Sequence, residues 1–395
     1  MAERIFLHVA STKSGTTFLQ RVLWAHQSQL LGQRMLLPGS NFRDHYKASL
    51  DVREDPHRIP TPDGVTGAWG RLVEEMAAWE GDALVSHELF APATADQASV
   101  AIGMLAPAEV HLVVTARDLA RQVPAEWQEH VKHRSVLTFS DFVRGLRTDP
   151  ERGPFAPTGY HFWHEQDLCG VIERWGRELP PERVHLVTVP RAGAGPDELW
   201  QRFTGVMGID GGSFDLTRSR SNSSVRAEQA ELLRRLNSRL GSRLPRPGAY
   251  GPMVKSLLAN QLLSDRPGTW FGLQGEDWDF AVERAETMVA GLEKLQVHVV
   301  GDIRELVPDG TSENVSGDAH VAPEAVLDEA VEALAAVLDR FSAERARRQR
   351  LETELRKSRA ALSDLEARLL PADGGFSHLA VRFARWARRV LGRRG

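Results

Sequence analysis

Long apolar runs are missing from this chain, and no stretch approaches the roughly 18 uninterrupted apolar residues of a membrane-spanning helix. The opening segment MAERIFLHVAST offers one Arg and only a short apolar stretch before polar residues, so neither a signal peptide nor a membrane span is expected. Cysteine is nearly absent. Cys169 stands alone, which excludes an internal disulfide and a thiolate metal cluster and points to a reducing, cytoplasmic setting without a metal site. Excess charge of one sign is lacking too: 49 Lys+Arg against 53 Asp+Glu leave a formal charge of −4, with no global field to hold a nucleic acid. What remains is ordinary for a folded chain. A content of 42% hydrophobic and 26% charged residues over 395 positions excludes collagen-like, disordered and disulfide-scaffold classes. That length allows one large domain with an appendage, or two domains.

Over the first 210 residues, short β-branched or apolar runs alternate with helix-length amphipathic runs, the pattern of a parallel sheet with helices on its faces. Strands are expected at Ile5–Val9, Ala83–Ser86, Val110–Thr115, Val184–Val189 and, last, Val297–Val300. Helices are expected at about 16–29, 67–79, 95–105, 118–132, 139–147, 166–178 and 196–207, and most of 222–295 also reads as helical. The interruptions at 38–64 and 148–160 are long for connectors and read as lids or binding segments. Residues 1–308 thus form an expected α/β domain, and the polar stretch 309–322 a linker. A helix over 323–370 follows, with apolar positions at 327, 331, 334, 338 and 341 and again at 351, 355, 362, 365 and 369. Their alternating spacing suits a coiled-coil seam, with a homodimer as one outcome and a solvated helix as the other. Arg345 and Arg348 interrupt the seam.

The sharpest chemical signal comes early, where the strand IFLHV runs into Ser11-Thr12-Lys13-Ser14-Gly15-Thr16-Thr17 and then directly into an amphipathic helix. Amides at a turn and helix N-terminus, joined by hydroxyls and the charge of Lys13, suit a phosphate or sulfate group. The plainer reading is a Ser/Thr-rich cap that only opens a helix. Walker A spacing is not met, because Lys13 precedes the glycine instead of following it.

In its TKSGTT run the chain resembles the sulfotransferases that use 3′-phosphoadenosine 5′-phosphosulfate, whose corresponding loop reads approximately PKSGTT. Thr12 stands where that loop has proline. A second element fits as well: EVHLVVTARD followed by LARQVPAEWQEH, in which Arg117 matches the family arginine that binds the 3′-phosphate. The family's serine eight residues later is Ala125 here, and Arg121 or Gln122 could compensate from the same helix. The resemblance implies a P-loop-like parallel α/β fold, with Lys13, Ser14, Gly15, Thr16, Thr17, Arg117, Arg121 and Gln122 around the sulfuryl donor. It covers roughly residues 4–240 as an order of elements.

Sulfuryl transfer needs charge neutralisation, expected from Lys13, and benefits from a base for the acceptor hydroxyl. At the end of GDALVSHELF the family carries a histidine or a glutamate as that base, and here His87 and Glu88 are adjacent. Neighbours at a strand end face opposite ways, so one of the two reaches the site; His87 is favoured because a neutral imidazole accepts a proton near pH 7. The cluster Tyr160, His161, Trp163 and His164, placed just ahead of the helix 166–178, suits either a planar acceptor or the docking of a helix. His45 and Tyr46 are weaker candidates for the same pocket, and Arg218 and Arg220, ahead of Asn222 and Ser223, are candidate cofactor contacts.

Residues 371–395 hold six arginines and one aspartate, with Leu379, Phe383, Trp386 and Val390 on one helical stripe. Such a helix suits an anionic membrane surface, through 376–395, or docking on the chain's own acidic domain or on a partner. The expectation is a sulfotransferase acting on a hydroxyl of a carbohydrate, glycolipid or secondary metabolite. Its alternatives are a nucleotide-dependent phosphotransferase and a non-catalytic adaptor working through the coiled coil and tail.

Overall fold

The computed structural model describes residues 1–54, 63–148, 156–191, 193–195, 197–217, 224–245, 248–310 and 321–369. The candidates Arg218, Arg220, Asn222 and Ser223, most of the expected linker and the whole basic tail lie outside the described residues. Two compact units emerge, Met1–Glu329 and Ala330–Gly395.

The first unit is built on a six-stranded, wholly parallel sheet in the order β2-β3-β1-β4-β5-β6. Its strands are β1 (Arg4–His8), β2 (Met35–Leu36), β3 (Asp82–Ser86), β4 (Glu109–Ala116), β5 (Val184–Thr188) and β6 (His298–Val300). Ile5 aligns with Ala83 on one side and with Val110 on the other, so β1 is a central strand. Ile5 and Phe6 point to opposite faces and both are fully buried, as expected of a sheet covered by helices on both sides. On the Phe6 face, Leu84, Val113 and Val187 meet Leu19, Val22 and Leu23 of α1 (Thr16–Ala25). Burial of each such side chain stabilises the fold by about 1.5–3 kcal/mol.

Between the strands run α2 (Gln27–Gly32), α3 (Phe42–Arg53), α4 (Ala68–Ala77), α5 (Ala95–Gly103), α6 (Leu119–Lys132), α7 (Phe139–Arg147), α8 (Ala156–Gln166), α9 (Leu168–Gly176) and α10 (Glu198–Met207). After them come α11 (Ala227–Leu240), a π-helix over Gly251–Leu263 and α12 (Glu276–Leu295). The expected strands and most helices are present. The single helix expected over 16–29 is two, because the backbone at His26 leaves helical geometry and its Nδ1 bonds the Val22 carbonyl at 2.9 Å. The lid expected over 38–64 contains α3, opened by the Asn41 side chain accepting from the Arg43 amide. Its buried face is His45, Ala48, Ser49, Leu50 and Val52, too polar to read as an apolar stripe. The aromatic cluster does not precede a helix 166–178; it lies within α8, and Asp167 separates α8 from α9.

A row of imidazoles crosses the sheet. His111 Nε2 meets Glu109 at 2.8 Å, His111 Nδ1 meets His185 Nε2 at 2.9 Å, and His185 Nδ1 meets His298 Nδ1 at 2.9 Å.

In the second unit the long helix α13 (Pro323–Leu369) continues from Ala330. Val331, Leu334, Leu338 and Phe341 are all exposed along it, at the alternating spacing seen in the sequence. Among the described residues no helix is long and apolar enough to cross a membrane.

Candidate functional site

The strand order reverses direction at β1: the chain moves to β3 on one side and to β4 on the other. Crevices at such switch points, beyond the carboxyl ends of parallel strands, are where open α/β sheets take ligands. The turn 11–15 sits there. Gly15 caps α1 with φ 88°, and no side chain caps that helix, so its first amides are left to other partners. A Cβ on Gly15 would stand 2.5 Å from Leu199 Cδ2 and displace that side chain, but it is the left-handed backbone at φ 88° that favours glycine here. Lys13 also has a left-handed backbone, φ 62°, an unfavourable state for a non-glycine residue that the surrounding contacts must hold.

Those contacts come from below and from α6. Ser14 Oγ donates to the Ser11 carbonyl at 2.6 Å and lies 2.7 Å from Thr115 Oγ1 on β4. Thr115 continues to His8 Nε2 at 3.1 Å, and His8 Nδ1 to Ser86 Oγ at 2.8 Å. This buried chain ties the ends of β3, β1 and β4 to the turn. From α6, Gln122 reaches the Thr12 carbonyl, Glu126 accepts from Thr12 Oγ1 at 2.7 Å, and Glu129 holds Lys13 Nζ at 2.7 Å. Positions 122, 126 and 129 share one helical face. Gln166 of α8 joins Gln122 at 2.8 Å and Thr12 Oγ1 at 2.5 Å. The Thr12 hydroxyl thus ties the turn to two helices.

Arg117 lies at the end of β4 and its Nη1 donates to the Lys13 carbonyl at 3.4 Å, while its buried Nε has no hydrogen-bond partner among the described residues. Burial, helped by the charge of Arg121, pushes Arg117 down to about 10, so it remains a cation at neutral pH. A desolvated guanidinium without a full set of acceptors suits an arriving anion. Arg121 and Gln122 are differently placed. Arg121 is committed to Asp118 and to the carbonyls of Pro190 and Val189, and Gln122 to the turn itself.

At the end of β3, His87 Nδ1 accepts from the Leu89 amide at 3.1 Å and so caps the 3-10 turn Glu88–Phe90. The neutral ring then carries its proton on Nε2. Glu88 accepts from Gln20 Nε2 at 3.1 Å, and the same amide donates to the Ser86 carbonyl at 3.3 Å. Because Gln20 belongs to α1, Glu88 is tethered to the helix that the turn begins.

Of the expected acceptor residues, Trp163 donates to the Leu146 carbonyl at 3.0 Å beneath the Arg284 guanidinium, and His164 bonds the Pro92 carbonyl at 3.0 Å. Both dock α8, whereas His161 is exposed. Their neighbour Glu165 was not anticipated: burial, with Glu126 and Glu88 nearby, pushes its carboxyl up to about 7. Also unanticipated are Gln20, Thr115, Glu126, Glu129 and Gln166; for the α6 pair the signal was available, at one and two helical turns from Gln122. His45 is buried between the Pro38 and Ser86 carbonyls and serves the fold. An open groove of about 410 Å³ lined by Trp127, Phe139, Arg144, Arg234 and Phe271 includes no residue of the turn, so charge and backbone, not cavity shape, mark the site. Among the described residues no cluster of three His, Cys, Asp or Glu side chains could hold a metal ion. No protein-family description, curated protein or solved structure matches the chain.

Proposed function

We propose that the chain binds 3′-phosphoadenosine 5′-phosphosulfate at residues 11–17 and transfers its sulfuryl group to a hydroxyl of a carbohydrate, glycolipid or secondary metabolite. A P-loop-like architecture belongs to the same reading. The observation that carries it is the position of the turn: it follows the central strand at the switch point, beside Lys13 and an under-satisfied Arg117. When bound, that donor supplies a sulfuryl group on an activated mixed anhydride. In this reading the α1 amides and the hydroxyls of Thr16 and Thr17 hold the 5′ end, and Arg117 the 3′-phosphate. The buried, unpartnered Arg117 Nε fits such a group.

Lys13 neutralises charge on the bridging oxygen. Glu88 receives the acceptor proton, in preference to His87, whose Nδ1 lone pair is engaged by Leu89. Arg121 and Gln122 act as positioning residues for the turn.

Calorimetric titration with 3′-phosphoadenosine 5′-phosphate, with and without Mg²⁺, tests the reading. Binding that ignores Mg²⁺ supports it. Binding of nucleoside triphosphates that requires Mg²⁺ would favour a phosphotransferase, and absence of all nucleotide binding would favour an adaptor.

A further inference from the structure

Glu129 does more than meet Lys13. Its Oε2 accepts from Lys13 Nζ at 2.7 Å while its Oε1 accepts from Lys255 Nζ at 2.6 Å, and Lys255 reaches it from the π-helix, far along the chain. Burial alone would raise this carboxyl, but Lys13 and Lys255 outweigh burial and hold it well below the ordinary range. Lys132 is a third cation nearby, itself pushed down to about 8 mainly by burial. The carboxylate is ionised at any physiological pH and is shared between two ammonium groups, one on each oxygen, with His133 Nε2 3.5 Å from Oε1 and 2.5 Å from Lys255 Nζ.

We propose that Glu129 is a latch on Lys13 and that Lys255 is the cation that lets the latch open. This rests on the reading of the turn as an anion site. Lys13 cannot serve Glu129 and an incoming anion equally, because an ammonium group has one compact charge and three donors. When Lys13 turns toward the anion, Glu129 would be left as a partly buried carboxylate, which is costly without a partner. Lys255 removes that cost by remaining on the other oxygen. Lys255 therefore favours anion binding without touching the anion, and Glu129 opposes it.

The two residues then have opposite signatures. Glu129→Gln should release Lys13, and Lys255→Met should leave Glu129 with a stronger hold on it. The readout independent of nucleotide is the rate at which Lys13 is acetylated by a pulse of acetic anhydride, followed by mass spectrometry. Glu129→Gln should raise that rate about 10-fold, on the scale of one charge-assisted hydrogen bond, and Lys255→Met should lower it severalfold. Lys255→Arg should restore the wild-type rate, which a packing defect in the π-helix would not allow. Affinity for 3′-phosphoadenosine 5′-phosphate should follow the same order. In the Glu129→Gln background, Lys255→Met should have no further effect.

Acetylation that moves as stated without nucleotide binding would keep the latch and remove the sulfotransferase reading. Nucleotide binding with acetylation unchanged in both variants, or changed in the same direction by both, would overturn the latch.

Discussion

Ser14 Oγ and Thr115 Oγ1 stand 2.7 Å apart, both fully buried, and join the turn after β1 to the end of β4. The contact is one link of the chain that continues through His8 to Ser86. The shape of the turn is therefore set beneath it, by polar groups inside the sheet. Thr115→Val keeps the shape of the side chain but leaves Ser14 and His8 short of a partner. A loss of about 1–3 kcal/mol is expected in urea unfolding, together with weaker anion binding. Unchanged stability would mean that water or a neighbour replaces the hydroxyl.

Lys13→Ala is expected to abolish transfer while leaving the melting temperature nearly unchanged. Its pair with Glu129 is partly exposed, with side-chain exposures of 30% and 22%, so it contributes little to stability. Arg117→Ala is expected to weaken 3′-phosphoadenosine 5′-phosphate about 10-fold or more, as a charge-assisted contact is lost. Normal turnover in the first variant, or unchanged affinity in the second, would refute the assigned roles.

Glu88→Gln should lower turnover by about 10²–10⁴-fold with nucleotide affinity preserved, the range for loss of a general base. His87→Gln should cost less turnover, because it removes a cap on the turn Glu88–Phe90 and acts on the base only through its position. The reverse order would return the base role to His87.

Stability should fall on acidification. Burial holds His8 at about 3, and His45 and His185 at about 4, all below their unfolded values. The unfolded chain therefore binds more protons than the folded one, and stability is lost as pH falls from about 6.5 toward 4, at about 1.4 kcal/mol per pH unit for each such group. Glu165, raised to about 7, works the other way between about 4.5 and 7, and one carboxyl does not offset these histidines. The melting temperature should be clearly lower at pH 5 than at pH 7; equal values would contradict the buried neutral rings.

The exposed stripe of Val331, Leu334, Leu338 and Phe341 should support self-association. Leu338→Lys is expected to shift a dimer to monomer in sedimentation experiments at micromolar concentration. A wild-type chain that is already monomeric there would exclude that use of the stripe.

Much of this architecture was legible in the sequence because the parallel strands are continuous apolar runs and the turn is contiguous. Arg117 was singled out by the likeness of EVHLVVTARD to the sulfotransferase element, and it directly follows β4. The wall of the site was not legible. Glu129 and Lys255 are brought together only by the docking of the π-helix, and local spacing cannot report such a contact. α3 escaped because its inner face carries His45 and Ser49 in place of large apolar residues. Trp163 and His164 had the chemistry of a binding pocket, but their polar tips were needed to seat α8 on its neighbours.

The imidazole row has a polarity that settles where β6 pairs. With a neutral His111 donating from Nε2 to Glu109, its Nδ1 accepts from His185 Nε2, and the His185 ring, neutral through burial, then accepts at Nδ1 from His298. β6 is three residues long and offers few backbone bonds with which to choose its alignment. Sliding it by one residue would set Val299 in place of His298 opposite His185 and strand a buried ring nitrogen with nothing to donate to it. The row thus works as a key: a proton order dictated at Glu109 selects, two strands away, the one register in which the sheet can close its edge.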